Sequence, residues 1–145
     1  MGRRQPTAVI FICTLNSIRS PIAAAIMHSL LGHKIYVASA GIRAGDPDPF
    51  VGMIMDEVGL DVTRHRPHSL DDLADSTFDL AITLSPEADR HAHEMAKTLA
   101  IDLEHWQTAD PSLAQGSRAQ ILDAYRAVRD GLSEKIKQRF AESLP

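Results

Sequence analysis

The chain has a single cysteine among its 145 residues, which excludes an internal disulfide and any disulfide framework. That scarcity suits a reducing compartment, and a cytoplasmic location is the expectation. Long apolar runs are missing. The longest, residues 8–13 and 21–27, fall far short of the ~20 residues that span a bilayer, so no membrane partner is expected. The basic start Met1-Gly2-Arg3-Arg4 precedes only a short apolar run that holds the cysteine, so no signal peptide is expected either. There is no large excess of either charge. A formal net charge of −4 gives nothing global to attract nucleic acid or anionic lipid. Internal repeats, low-complexity tracts and linkers are also absent. What is present is ordinary globular composition, 44% hydrophobic and 23% charged, at a length that fits one domain over residues 1–145.

Strand and helix patterns alternate along that length. Residues 8–12 are a β-branched apolar run, as expected of a strand buried on both faces. Ser20-Pro21 reads as an N-cap with proline at the first helical position, opening a helix that runs to about residue 31 with Gly32 at its end. Residues 35–38 make a second strand, and Ser39-Ala40-Gly41 leaves it. Asp46-Pro47-Asp48-Pro49 is turn chemistry with a helix start. Val51, Ile54, Met55 and Val58 follow at helical spacing, and Gly59-Leu60 fits a Schellman ending.

After a polar stretch with one short helix near residues 70–73, residues 78–84 form a third strand. Ser85-Pro86-Glu87 opens a helix lined by Ala88, Ala92, Met95 and Leu99. Residues 101–106 are a fourth strand and residues 107–117 a loop. From about Arg118 the positions Ile121, Leu122, Tyr125, Val128, Leu132 and Ile136 mark a long terminal helix. The alternation predicts the α/β class, with a parallel sheet covered by helices on both faces.

The chemistry concentrates in Val9-Ile10-Phe11-Ile12-Cys13-Thr14-Leu15-Asn16-Ser17-Ile18-Arg19-Ser20-Pro21. Cys13 ends the first strand, where open α/β sheets bind ligands. The loop of Thr14, Leu15, Asn16, Ser17 and Ile18 then feeds a helix N-terminus, whose free N–H groups and dipole favour an anion. The same field favours thiolate over thiol. Arg19 supplies a planar fork of donors matched to a tetrahedral oxyanion. Together these point to phosphoryl transfer to sulfur. Taken alone, the spacing also fits a buried structural cysteine beside a surface arginine. A phosphate ester's leaving oxygen needs a proton, and Asp110-Pro111, after the fourth strand, is the best-placed acid. Asp46-Pro47 and Asp48-Pro49 are rivals, because Asp-Pro also simply opens turns.

These residues resemble the low-molecular-weight protein tyrosine phosphatases and their relatives among arsenate reductases. The resemblance runs in order along nearly the whole chain. It takes in residues 13–21, Ser39-Ala40-Gly41, Gly45 with Asp48-Pro49, Gly59-Leu60-Asp61, His65, Phe78-Asp79, and Trp106 with Asp110-Pro111. It implies a three-layer α/β/α domain with a four-stranded parallel sheet. It further implies Cys13 as nucleophile, Arg19 as phosphate clamp, and Asp110 as general acid and then base. Asn16, Ser20, Ser39 and His65 would form the hydrogen-bond network that shapes the loop, with Ser20 also bonding the Cys13 sulfur. No metal and no other cofactor is implied. The expected partners are a phosphorylated protein or small aryl phosphate and phosphate- or sulfate-like anions, bound by a monomer or weak dimer.

Three departures from the family pattern bear on substrate preference and on the oxidation of Cys13, not on phosphomonoester chemistry. Leu15 stands where the family usually has a small residue, adding an apolar wall and straining the loop if that position is left-handed. Ile18 replaces a frequent second cysteine, leaving Cys13 no disulfide partner against peroxide. Ser112-Leu113 follows the acid's proline where aromatic residues are common. Arsenate reduction with an external thiol and a non-catalytic anion-binding module are the alternative readings. The seven histidines give no metal pattern: His91 and His93 point to different sides of a helix, and His65 and His68 have no third ligand at suitable spacing. Trp106, beside the acid's loop, either packs in the core or faces substrate, and core packing is the expectation.

Overall fold

A computed structural model describes residues 5–73 and 77–145. Four strands, β1 (Ala8–Cys13), β2 (Tyr36–Gly41), β3 (Leu80–Thr83) and β4 (Asp102–His105), form one parallel sheet in the order β2-β1-β3-β4. From β1 the chain passes outward to β2, then crosses to β3 on the other side. The strand order therefore reverses at β1, which creates a crevice at its carboxyl end. Cys13 is the last residue of β1, in register with Gly41.

Helices α1 (Arg19–Leu31), α2 (Pro49–Asp56) and α4 (Arg118–Arg139) share one face of the sheet, with α3 (Pro86–Ala96) on the other. The alternation of β1 explains the layering. Val9, Phe11 and Cys13 point into the larger core with Ile22, Met27, Ile54, Tyr125, Leu132 and Ile136, whereas Ile10 and Ile12 meet Ala81 and Ala88 on the α3 side. Both faces of β1 are buried, which is why its sequence is continuously apolar. Truncating a side chain such as Phe11 there costs about 3–5 kcal/mol. No described helix is long and apolar enough to cross a membrane.

Most expected boundaries hold. Asp48 caps α2 by accepting from the Phe50 N–H, with Pro49 at the first helical position. Ser85 caps α3 in the same way through the Ala88 N–H. Gly59 sits at φ 75°, and the Leu60 N–H reaches the Met55 carbonyl, completing the Schellman ending. Ser117 and Gln120 close a capping box on α4. Glu57 follows α2 and meets α4, where hydrogen bonds from Arg126 and then Arg129 hold its carboxyl down to about 2. Trp106 packs edge-on against Phe11, as expected of a core residue.

Three readings are corrected. Ser20 does not cap α1: the helix starts at Arg19 with Ile18 in the cap position, and the Ser20 hydroxyl turns back toward the sulfur of Cys13. Ser39-Ala40-Gly41 does not leave β2 but completes it, because these residues continue in register with Phe11, Ile12 and Cys13. Leu99 lies beyond α3 and is half exposed, since that helix ends at Ala96.

Candidate active site

The loop from Cys13 to Ser20 is built by what lies beneath it. Its carbonyls face a neighbouring segment. The Ile42, Arg43 and Gly45 N–H groups donate to Cys13, Thr14 and Leu15 oxygens at 3.2, 3.0 and 2.9 Å. That close approach requires glycine. A Cβ on Gly41 would lie 2.8 Å from the Asn16 nitrogen, and one on Gly45 would lie 2.7 Å from Ser17 Oγ and 2.8 Å from Leu15 Cβ. These bonds engage the carbonyls of residues 13–15 and leave the backbone N–H groups of residues 14–20 to be accounted for. Among the described residues none of them finds an acceptor. Such an array, next to the dipole of a 13-residue helix, is an anion nest.

Asn16 holds the nest in shape. It is fully buried and adopts φ 57°, the only non-glycine left-handed residue among those described. Asparagine tolerates that conformation better than most residues. The expectation of left-handed strain therefore falls on Asn16 rather than Leu15, whose side chain stands 42% exposed at the rim. Every polar group of the Asn16 amide is used. Nδ2 donates to Ser20 Oγ and Ser39 Oγ, both at 2.9 Å, and Oδ1 accepts from the His68 N–H at 3.1 Å. The Asn16 carbonyl, which can only accept, lies 2.8 Å from His65 Nε2, so Nε2 carries the proton. Burial pushes His65 below the ordinary histidine range. The Asn16 carbonyl opposes that shift, and nearby His68 and Arg66 reinforce it.

The network ends at sulfur. Ser20 Oγ lies 2.9 Å from Cys13 Sγ. Because Asn16 donates to that oxygen, the serine proton is free to point at the sulfur and stabilise its anion. Of the residues expected in the network, Asn16, Ser20, Ser39 and His65 are all brought together with Cys13. Thr14 braces the loop sideways, its hydroxyl donating to Ser85 Oγ at 3.0 Å. Ser17 bonds weakly to the Leu15 carbonyl at 3.4 Å, and Ile18 is buried in the main core.

Arg19 links the anion loop to the loop that carries Asp110. The Arg19 guanidinium donates to the Thr108 carbonyl at 3.3 Å, tying the anion loop to the loop that follows β4. Asp110, two residues on, caps a short 3-10 turn and accepts from the Ser112 N–H and hydroxyl at 3.0 and 2.6 Å. Of the rivals, Asp48 is committed elsewhere: its two oxygens accept from the Phe50 N–H and the Tyr125 hydroxyl, at 2.8 and 2.7 Å. Among the described residues no group of three or more carboxylates, histidines or thiols is arranged to hold a metal.

Sequence reasoning missed several supports: the ladder from residues 42–45, the Tyr125–Asp48 bond, and the pairing of Arg43 with Glu87 across the rim. Only the glycines at 41 and 45 hinted at the first; the others join residues far apart in the chain.

The family model for "low molecular weight phosphotyrosine protein phosphatase" matches residues 8–144. Arsenate reductase of Bacillus subtilis is 33% identical over 93% of this chain and 95% of that protein. Arsenate reductase of Bacillus licheniformis is 35% identical over the same shares. Among solved structures, an arsenate reductase in a phosphate-binding state superposes with a TM-score of 0.73 at 27% identity, covering 94% of this chain and 98% of the other. A tyrosine phosphatase of Erwinia amylovora has a TM-score of 0.75 at 20% identity, covering 97% and 94%, and shares the fold.

Proposed function

The chain belongs to the low molecular weight phosphotyrosine protein phosphatase family, and from that premise we propose that it hydrolyses phosphomonoesters, aryl phosphates such as phosphotyrosine first among them. The observation that carries the reading is one juxtaposition. A sulfur bonded by Ser20 sits at the root of a loop whose amides are unpaired, with Arg19 on that loop and Asp110 on the next.

The reaction has two steps. Cys13 thiolate attacks phosphorus in line, the bond from phosphorus to the leaving oxygen breaks, and Asp110 gives that oxygen its proton. Water then attacks the cysteinyl-phosphate, Asp110 takes the water's proton, the sulfur–phosphorus bond breaks, and phosphate departs. Arg19 and the loop amides hold the charge on the equatorial oxygens in both steps.

The test is hydrolysis of p-nitrophenyl phosphate and a phosphotyrosine peptide. Cys13→Ser is expected to abolish turnover, and Asp110→Asn to lower it by roughly 10²–10⁴-fold. Full activity in Cys13→Ser would overturn the reading.

The names of the relatives favour a second reading, arsenate reduction. Arsenate has the shape and charge of phosphate, so Cys13 could attack arsenic in the same way, breaking one arsenic–oxygen bond with the oxygen leaving as water after Asp110 protonates it. Reduction to arsenite takes two electrons, and the chain holds one thiol. An external thiol such as glutathione must attack the Cys13 sulfur, releasing arsenite and leaving a mixed disulfide that a further thiol clears. Arsenite formation that appears only when glutathione or mycothiol is added would support this reading.

A further inference from the structure

Beside the catalytic loops lies a second hydrogen-bonded group that the proposed mechanism does not use. Thr83 ends β3 and is completely buried. Its hydroxyl has two possible acceptors, Asp89 Oδ1 at 2.9 Å and the Glu104 carbonyl at 3.3 Å. The shorter, charged one holds the proton more strongly. With its proton committed to Asp89, Thr83 Oγ1 must accept from the group facing it, His105 Nδ1 at 2.9 Å. His105 is thereby fixed as the Nδ1–H form, and its other nitrogen points at the Gln107 side chain, 3.2 Å away. That contact survives either charge state. An imidazolium donates to Gln107 Oε1, and a neutral ring accepts from the turned amide. The charged and titratable neighbours on the facing elements are Asp89, with His93 3.6 Å from its other oxygen, and Lys135 of α4.

From Gln107 the path runs directly to the acid. Lys135 Nζ donates to the Gln107 carbonyl at 3.3 Å. Thr108 is buried, its hydroxyl on the Trp106 carbonyl and its own carbonyl receiving Arg19. Asp110 is two residues further. We propose that His105 is a positioning residue for Asp110: anchored on buried Thr83 and the half-buried Asp89 that holds it, it grips Gln107 and sets where the acid's loop leaves the sheet. This rests on the phosphatase reading above.

The test exploits the fact that a proton donor matters only when the leaving group needs one. His105→Asn keeps a donor near Thr83 and loses the reach to Gln107. Gln107→Ala removes the exposed end of the same contact, where folding is not at stake. Each variant is assayed for kcat/KM on phenyl phosphate, a poor leaving group, and on 2,4-dinitrophenyl phosphate, a good one, with Asp110→Asn as reference. The expected result is a roughly tenfold loss on phenyl phosphate and less than about twofold on the dinitrophenyl ester, a weaker copy of the Asp110→Asn pattern. Equal losses on both esters mean a merely structural role and overturn the proposal, as does no loss on either. A wild-type protein that hydrolyses neither ester would instead remove the phosphatase reading, and this inference with it.

Discussion

The two loops that meet at the site are built on opposite plans. The anion loop, residues 13–20, is held from inside. Asn16 spends its whole amide on Ser20, Ser39 and His68, and the loop's carbonyls are laddered to residues 42–45. The acid's loop, residues 107–117, is tied at its two ends and at buried Pro111 and is open between them, with Leu113 76% exposed. The contrast suits the chemistry proposed for each. Charge stabilisation requires donors fixed before the reaction, since donors that must reorganise stabilise less. Proton transfer requires a carboxyl that can serve a leaving group and then water. Substitutions in the first loop should therefore damage stability and binding together, whereas those in the second should change rate and leave the fold alone.

Asn16→Ala should break the first half most severely. It strips partners from Ser20, Ser39 and the His68 N–H and places alanine at a left-handed φ. A loss of about 2–4 kcal/mol is expected from the unpaired groups and the backbone cost, read by urea unfolding, with inhibition by inorganic phosphate weakened in parallel. Unchanged unfolding with full phosphate inhibition would refute the view that the loop is shaped from within.

A smaller effect is expected from pH. Burial lowers His65, so in the window below the ordinary value of 6.5 the unfolded chain binds the proton that the folded chain resists. The contribution is complete above about pH 6.5 and is lost as pH falls through the folded value. His65→Gln keeps a donor for the Asn16 carbonyl and removes the titration. Its stability should fall less steeply than wild type as pH drops below about 6.5, measured by unfolding at each pH. Parallel curves would show that the ring's charge does not matter there.

Ser112→Ala sharpens the other half and should have the smallest effect on the fold. It removes only an exposed hydroxyl from Asp110, so stability should stay within about 0.5 kcal/mol while kcat/KM falls more on phenyl phosphate than on 2,4-dinitrophenyl phosphate. A large stability loss with unaltered kcat/KM on both esters would erase the distinction between the loops.

Much of the site was readable because its main parts are local. Cys13, the loop and Arg19 lie within one strand–loop–helix unit, and Asp110-Pro111 follows a recognisable strand. Ser20 departs from its capping signal for a physical reason. Serine before proline is a good capping signal, but capping would expose a hydroxyl that the sulfur and Asn16 hold inside. Ser39-Ala40-Gly41 was misjudged because small residues score poorly as strand formers. Their place in β2 comes from pairing with β1, and their size lets the anion loop approach. His105 carried no signal at all. It became informative only when Thr83, its partner in register on β3, came alongside.

By itself the sequence determined the order of strands and helices, the buried character of β1, and a thiol and a guanidinium on one loop at a helix start. Each follows from periodicity and capping among near neighbours. Only the tertiary structure decided which hydroxyl faces the sulfur, which residue takes the left-handed turn, and what anchors the acid's loop. Those depend on register and packing between segments up to a hundred residues apart, and hydrogen-bond geometry at about 3 Å is set by where the strands lie rather than by what precedes or follows a residue in the chain.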